Sequence, residues 1–363
     1  MTGGTIAGIS ADSRHSASHG IVLPIWLVLL GNLVMGGSLW LIAAGGMMAK
    51  LILLVFWGIM VLGFLRGLRF SPTALIGGGI LLGLITVIVV GSGVGVEKLR
   101  LVGNLLMLPV GLLAGCVIGR DCLRIIVPVL VVYLVLSSSF YVTHDGMRLN
   151  QPFLFLGLFA LCSVAQWRGH RWLGGTAGIA VLLSQTRIAV LAMLVNLMGA
   201  IWFSRVLTWL FALCAVGVLG WAAVDHLPRL FLTHGSGRFP FWQEFWELWR
   251  AASMAQQWFG FGAGAVEAIL SSHISFGSFG ALHNDHFRIL FETGIVGAVL
   301  WLLGWIVMLW AVRHVRLSVC LLLSVMLTMV TDNTLTYGHY LICCGIAAGI
   351  SVRRGGCKWI EPV

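Results

Sequence analysis

Apolar residues fall in blocks of helical length along nearly the whole chain, separated by short polar connections. The blocks lie at about 21–43, 51–65, 73–92, 101–118, 124–141, 152–166, 172–185, 188–203, 206–223, 286–311, 317–331 and 338–352. Lipid offers no partner to an unpaired backbone N–H or C=O, so only helices or closed barrels cross it. The period-two alternation of barrel strands is absent. The pattern therefore predicts an all-α polytopic membrane protein of about 12 transmembrane helices. One large polar segment, 224–285, interrupts the series between spans nine and ten. It divides the chain into spans one to nine (1–223), the polar loop with an amphipathic helix (224–285), and spans ten to twelve with a tail (286–363). The first 20 residues are polar, and no small-residue cleavage site follows an apolar core there, so a cleaved signal peptide is not expected.

Composition agrees: 59% of the 363 residues are hydrophobic and 9% charged, too little polar side chain to cover a soluble globule. Cations set the orientation. With the N-terminus in the cytoplasm, the inside segments carry Arg14, Arg66, Arg69, Arg120, Arg124, Arg168, Arg171, Arg205, Arg313, Arg316, Arg353, Arg354 and Lys358. The short outer connections hold Lys50, Lys98, Arg100, Arg148 and Arg187, which satisfies the positive-inside rule and places 224–285 outside. The net charge of +10 is thus mostly this bias; it contains no basic cluster dense enough for nucleic acid and implies membrane lipid headgroups as partners. Six of the eight cysteines fall in spans, with Cys122 and Cys357 on the inner side, so disulfides are not expected. No Cys/His spacing points to a metal, and no cofactor motif is present. The spans do not form two similar halves, which weighs against a transporter.

The polar loop has its own organisation. Asp225-His226-Leu227-Pro228 and Thr233-His234-Gly235-Ser236-Gly237 lead to Arg238. Trp242, Phe245, Trp246 and Trp249 then recur at i, i+3, i+4 and i+7, predicting an amphipathic helix that either lies at the headgroup level or packs on the protein. Gly260-Phe261-Gly262-Ala263-Gly264 makes a turn before a short helix near 265–271. It lacks the following Lys-Ser/Thr and the preceding strand of a nucleotide-binding loop.

Where the chain re-enters the membrane it reads His283-Asn284-Asp285-His286-Phe287-Arg288, followed by Glu292 and Gly294-Ile295-Val296-Gly297. Asn284 or Asp285 is a natural N-cap. Asp285, Arg288 and Glu292, spaced three and four apart, can neutralise one another on one helical face. Gly294 and Gly297 form a small patch for helix approach. His283 sits at the positive end of a helix, where anions are favoured. Arg187 is also out of place in an apolar run, and it is either snorkelling or paired with an anion. Arg187, Arg238 and His283 all fall on the outer side. Two arginines can grip a diphosphate through charge-assisted hydrogen bonds worth roughly 1.5–3 kcal/mol each. A neutral imidazole beside them can take the proton from an attacking hydroxyl. That combination describes glycosyl transfer from a lipid diphosphate.

The chain at this point resembles the O-antigen ligase and O-antigen polymerase family of bacterial membrane glycosyltransferases. The likeness covers mainly residues 180–300. Its ordered parts are Ser184-x-x-Arg187 ending a span, Gly237-Arg238 with Trp242 following, the 260–264 turn, and His283-Asn284 with Gly294-x-x-Gly297. The resemblance implies inverting, metal-independent transfer of an undecaprenyl-diphosphate-linked glycan at the outer face of the inner membrane. It casts His283 as general base and Arg187 and Arg238 as diphosphate ligands. Asn284, Asp285, Arg288, Glu292 and Asp332 are supporting or acceptor-binding candidates; Asp332 equally suits capping of span twelve. The acceptor is the next lipid-linked repeat for a polymerase or lipid A core for a ligase. The Asn284-Asp285 pair, Arg288, Glu292 and Thr331-Asp332-Asn333 resemble exopolysaccharide and O-antigen polymerases more closely and favour that reading, with a chain-length regulator as a further partner. A lipid-linked oligosaccharide transporter and an auxiliary protein of an export complex are the other classes. His286, one turn from His283, is the leading substitute for the base, ahead of His273 and His339.

Overall fold

The computed structural model describes residues 22–65, 68–143, 146–201, 238–272, 281–356 and 360–362. The protein is an all-α membrane protein, and five helical stretches among the described residues are long and apolar enough to cross a bilayer: Ile25–Ile42, Gly46–Phe64, Pro72–Val90, Gly95–Val117 and Asp285–Val312. The first two belong to one continuous helical run, Ile25–Phe64. That run folds back on itself. Ser38 Oγ donates to the Ala49 carbonyl at 2.7 Å, and a Cβ on Gly31 would stand 3.0 Å from the Phe56 ring, contacts that a straight helix rising 1.5 Å per residue forbids. The halves are therefore separate helices, α1 (Ile25–Ile42) and α2 (Gly46–Phe64).

Next come α3 (Pro72–Val90), begun by Ser71 as N-cap, α4 (Gly95–Val117) and α5 (Asp121–Ser137). The chain then makes a feature the hydropathy pattern does not predict, a hairpin of β1 (Phe140–Thr143) and β2 (Gly146–Leu149) with Phe140 opposite Leu149. A second antiparallel pair joins Leu68–Phe70 to Ile360–Pro362. The helices α6 (Pro152–Val164), α7 (His170–Leu183) and α8 (Arg187–Ala200) are short. At 14 residues each, α7 and α8 rise roughly 21 Å, less than the ~30 Å hydrocarbon core. The expected span 206–223 and the loop start from Asp225 to Gly237 lie outside the described residues, as does His273.

After them come α9 (Arg238–Ala251), α10 (Met254–Phe259), α11 (Ala265–Ser272), α12 (Asp285–Val312), α13 (Arg316–Thr331) and α14 (Gly338–Arg354). The bundle centres on α14, which is buried at every residue from Gly338 to Val352. A helix apolar on all sides needs neighbours all round. Its closest neighbour is α4, and glycine is the reason: a Cβ on Gly115 would meet the Ile346 carbonyl oxygen at 2.3 Å, and one on Gly349 would meet that of Leu112 at 2.2 Å. Gly111 and Gly345 repeat the arrangement one turn away. At the end of α4, Arg353 donates to the Val117 carbonyl at 2.5 Å, satisfying one of the acceptors a helix leaves open.

At the opposite end of the bundle a second apolar cluster forms from Phe241, Phe245, Val266, Leu282 and Phe291. It ties α9 and α11 to the start of α12, so the unit built by the polar loop continues past residue 285.

Candidate functional site

The geometry of this end follows from Gly294. Its φ of +68° and ψ of −169° break α12 in two. Only glycine takes such a backbone without strain, and a Cβ there would also strike the Trp258 backbone at 2.4 Å. The two arms fold together: Trp301 Nε1 donates to His286 Nδ1 at 3.0 Å across 15 residues. Breaking a helix exposes carbonyls, and the glycine-rich turn supplies their partners. Phe261 N–H donates to Phe291 O and Gly262 N–H to Glu292 O, both at 3.0 Å. Gly260, Gly262 and Gly264 all have positive φ, and a Cβ on Gly260 would stand 2.2 Å from Glu292 O. The turn is thus the clasp of a broken helix. The patch expected of Gly294 and Gly297 is revised in part: Gly294 makes the break, while a Cβ on Gly297 would collide with Thr293 of its own helix and stand 3.5 Å from Leu84 of α3, the helix that approaches there.

His283 lies just before the first arm with φ +53°, left-handed for a residue with a side chain. It is held there. Its N–H donates to Asn333 Oδ1 at 2.9 Å, and its Nδ1 stands 3.8 Å from Asp332 Oδ1. Asp332 is fixed in turn by Asn333 N–H at 2.8 Å and the Tyr337 hydroxyl at 3.1 Å. Asp332 does not cap α14, which has no side-chain cap; it faces His283. Asn284 is the N-cap of α12, accepting from Phe287 N–H at 3.0 Å. The imidazole keeps about a quarter of its surface, at 28% exposure, so a substrate can reach it. His286 cannot substitute as a base: Nδ1 accepts from Trp301, which leaves Nε2 as the N–H that donates to Met326 O at 3.1 Å. His339 is buried, with Nε2 2.8 Å from Ser38 Oγ.

The charged residues of the arm are paired differently from expectation. Arg288 and Glu292 do meet, Nε to Oε1 at 3.2 Å. The second partner of Arg288 is Glu267 of α11, at 2.8 Å, while Asp285 turns away and accepts from Leu335 N–H at 2.7 Å. Helix spacing was the visible signal; the partners come from elements far along the chain. Asp285, Arg288 and Glu292 are 0%, 5% and 1% exposed, so these pairs are structural in the first instance. Lys50, at the head of α2, joins the cluster within electrostatic range of Asp285, Arg288 and Arg100. Its position in a short connection gave no sign of this.

Arg187 is exposed at the first turn of α8 and makes no ion pair with a described residue. Near the other end of α8, Gly199 packs on Cys320 and Leu317 at the start of α13, so the two helices run antiparallel and Arg187 comes to the Asp332 end. Of Arg238, the backbone alone is described, as the first residue of α9. That helix is anchored beside the histidine, because Trp242 Nε1 donates to the carbonyl of Leu282 at 2.7 Å. It packs on the protein through Phe241 and Phe245, with Trp242 and Trp249 partly covered, whereas Trp246 is 42% exposed and stacks on Trp249. Three of the four residues of the expected face, Trp242, Phe245 and Trp249, thus turn inward, with Phe241 in the place of Trp246.

A scan against protein-family models finds no match, and no curated protein matches the chain.

Proposed function

We propose that the protein is a polysaccharide polymerase of the bacterial inner membrane, a glycosyltransferase resembling the O-antigen polymerases. Its donor is an undecaprenyl-diphosphate-linked glycan and its acceptor the next lipid-linked repeat. The topology that goes with this reading has twelve crossing segments, both termini in the cytoplasm, and the segment 224–285 with the site facing the periplasm.

The observation that carries the reading is His283 with Asp332. Asp332 faces Nδ1. A base so oriented offers Nε2 to the acceptor hydroxyl, and the carboxylate stabilises the imidazolium formed as the proton arrives. The deprotonated oxygen attacks the anomeric carbon, the bond to the diphosphate breaks, and inversion follows from attack on the opposite face. Arg187 and Arg238 receive the charge that develops on the departing diphosphate. His286, the nearest competing base, has both ring nitrogens engaged.

The test is reconstitution of the purified protein with undecaprenyl-diphosphate-linked repeats as sole substrate, read as a gel ladder. Wild type extends the chain, and His283→Ala loses about 10²–10⁴ of the rate, equivalent to roughly 3–5 kcal/mol of barrier, with the protein still folded. Near-normal turnover by that variant removes His283 from the mechanism. No ladder from folded wild type, with transfer once lipid A core is added, makes the protein a ligase.

A further inference from the structure

The stretch 283–285 and the turn between α13 and α14 are joined twice, in opposite senses. The backbone N–H of His283 donates to the Asn333 side chain at 2.9 Å, and the backbone N–H of Leu335 donates to the Asp285 carboxylate at 2.7 Å. Each bond links residues 50 apart in the chain, so the two segments lie side by side in one register. A slip of one residue would break both. Asp332 belongs to the same turn, immediately before Asn333, and that register sets its 3.8 Å distance from His283 Nδ1.

The turn is not closed by its own bonds. Thr336 N–H and Tyr337 N–H donate to the carbonyls of Asn333 and Thr334, both at 2.9 Å. A single 3₁₀ turn leaves its first N–H groups open, and Asp285 takes the one on Leu335. Nothing simpler accounts for Asp285. The cap of α12 is Asn284, and the bonds of Arg288 go to Glu292 and Glu267. A carboxylate in the first turn of a helix gains from the dipole, but at 0% exposure that gain is smaller than the cost of leaving water. Its other oxygen, Oδ1, is buried with no hydrogen-bond partner. This balance favours a positioning task over a stabilising one.

We infer that Asp285 is a positioning residue whose side chain holds the turn 332–336 in the register that presents the Asp332 carboxylate to His283 Nδ1. It acts through Asp332 and not on the substrate. Only the kinetic consequence rests on the polymerase reading.

The test uses full-length protein in detergent, labelled with ¹⁵N-histidine and read by NMR at a pH where the ring is neutral, with the His283→Ala spectrum assigning the signals. Wild type is expected to show one tautomer of His283, with the proton on Nδ1. Asp285→Ala gives a mixture of both tautomers and lowers kcat for ladder formation by about 10–10²-fold, with little change in KM. Asp285→Asn keeps an acceptor at the same reach without the charge, and it restores the single tautomer and most of the lost rate. Should Asp285→Ala not fold, Asp285→Ser, whose oxygen is one bond shorter in reach, takes its place. In an Asp332→Asn background, Asp285→Ala costs little more, because the two act in series. A mixed tautomer in wild type, an unchanged one in Asp285→Ala or its serine substitute, or an Asp285→Asn variant as impaired as Asp285→Ala overturns the inference. An Nδ1 tautomer that Asp285→Ala loses, in a wild type that builds no ladder, upholds it and removes the polymerase reading.

Discussion

α4 and α14 meet through four glycines, with one charge, Arg353, only at the end of the seam, whereas the first arm of α12 meets its neighbours through one glycine and three buried charged residues. Both contacts bring backbones within van der Waals reach, and glycine permits both. In the first, the helices stay whole and the contact along the seam needs only small residues. In the second, the glycine breaks the helix, and the carbonyls of Phe291 and Glu292 must find partners from the 260–264 turn. Close packing alone builds a rigid wall; a broken helix with buried charge builds a place where His283 is held in a left-handed backbone by the side chains of Asp332 and Asn333.

Five variants sharpen the contrast, read as thermal unfolding of the purified protein in detergent. The largest effect is expected at the charged arm. Arg288→Ala leaves Glu292 buried without its guanidinium, and loss of one member of a buried pair costs roughly 3–5 kcal/mol. The paired change Arg288→Met with Glu292→Leu should recover much of that loss; if it is no better than the single change, the pair is not the source of the destabilisation. At the glycine wall, Gly115→Leu pushes atoms against the Ile346 carbonyl, and overpacking of this kind costs about 1–3 kcal/mol or more. An unshifted unfolding temperature in that variant would mean that α4 and α14 part easily. Trp242→Phe removes the hydrogen bond to Leu282 while keeping the ring, a loss of about 0.5–1.5 kcal/mol, and through the neighbouring His283 it should lower turnover as well. Trp246→Ala, on the exposed side of the same helix, should stay within about 0.5 kcal/mol; a larger loss would place the contact face of α9 on the wrong side.

Hydropathy made the membrane class and most helix positions legible, because transfer into lipid depends on composition summed over a window. It separated two spans across 25–64 although the chain stays helical through the turn, but it could not separate the arms of 285–312, which a single glycine divides. The N-cap at Asn284 and the Arg288–Glu292 pair were readable for the opposite reason: each depends on residues within one turn. Glu267 with Arg288, Asp332 and Asn333 with His283, and Lys50 beside Asp285 were not, since no local spacing links residues on different elements.

The sequence by itself determined that the chain lives in a membrane as helices, where its polar segment lies, and which histidine begins the arm that follows. Tertiary structure alone decided which of the neighbouring histidines keeps a free nitrogen, which carboxylate faces it, and which glycines pack and which one breaks. The physical reason is range: burial and helix propensity act residue by residue, while a hydrogen bond or an ion pair is made by whatever the fold brings within 3 or 4 Å.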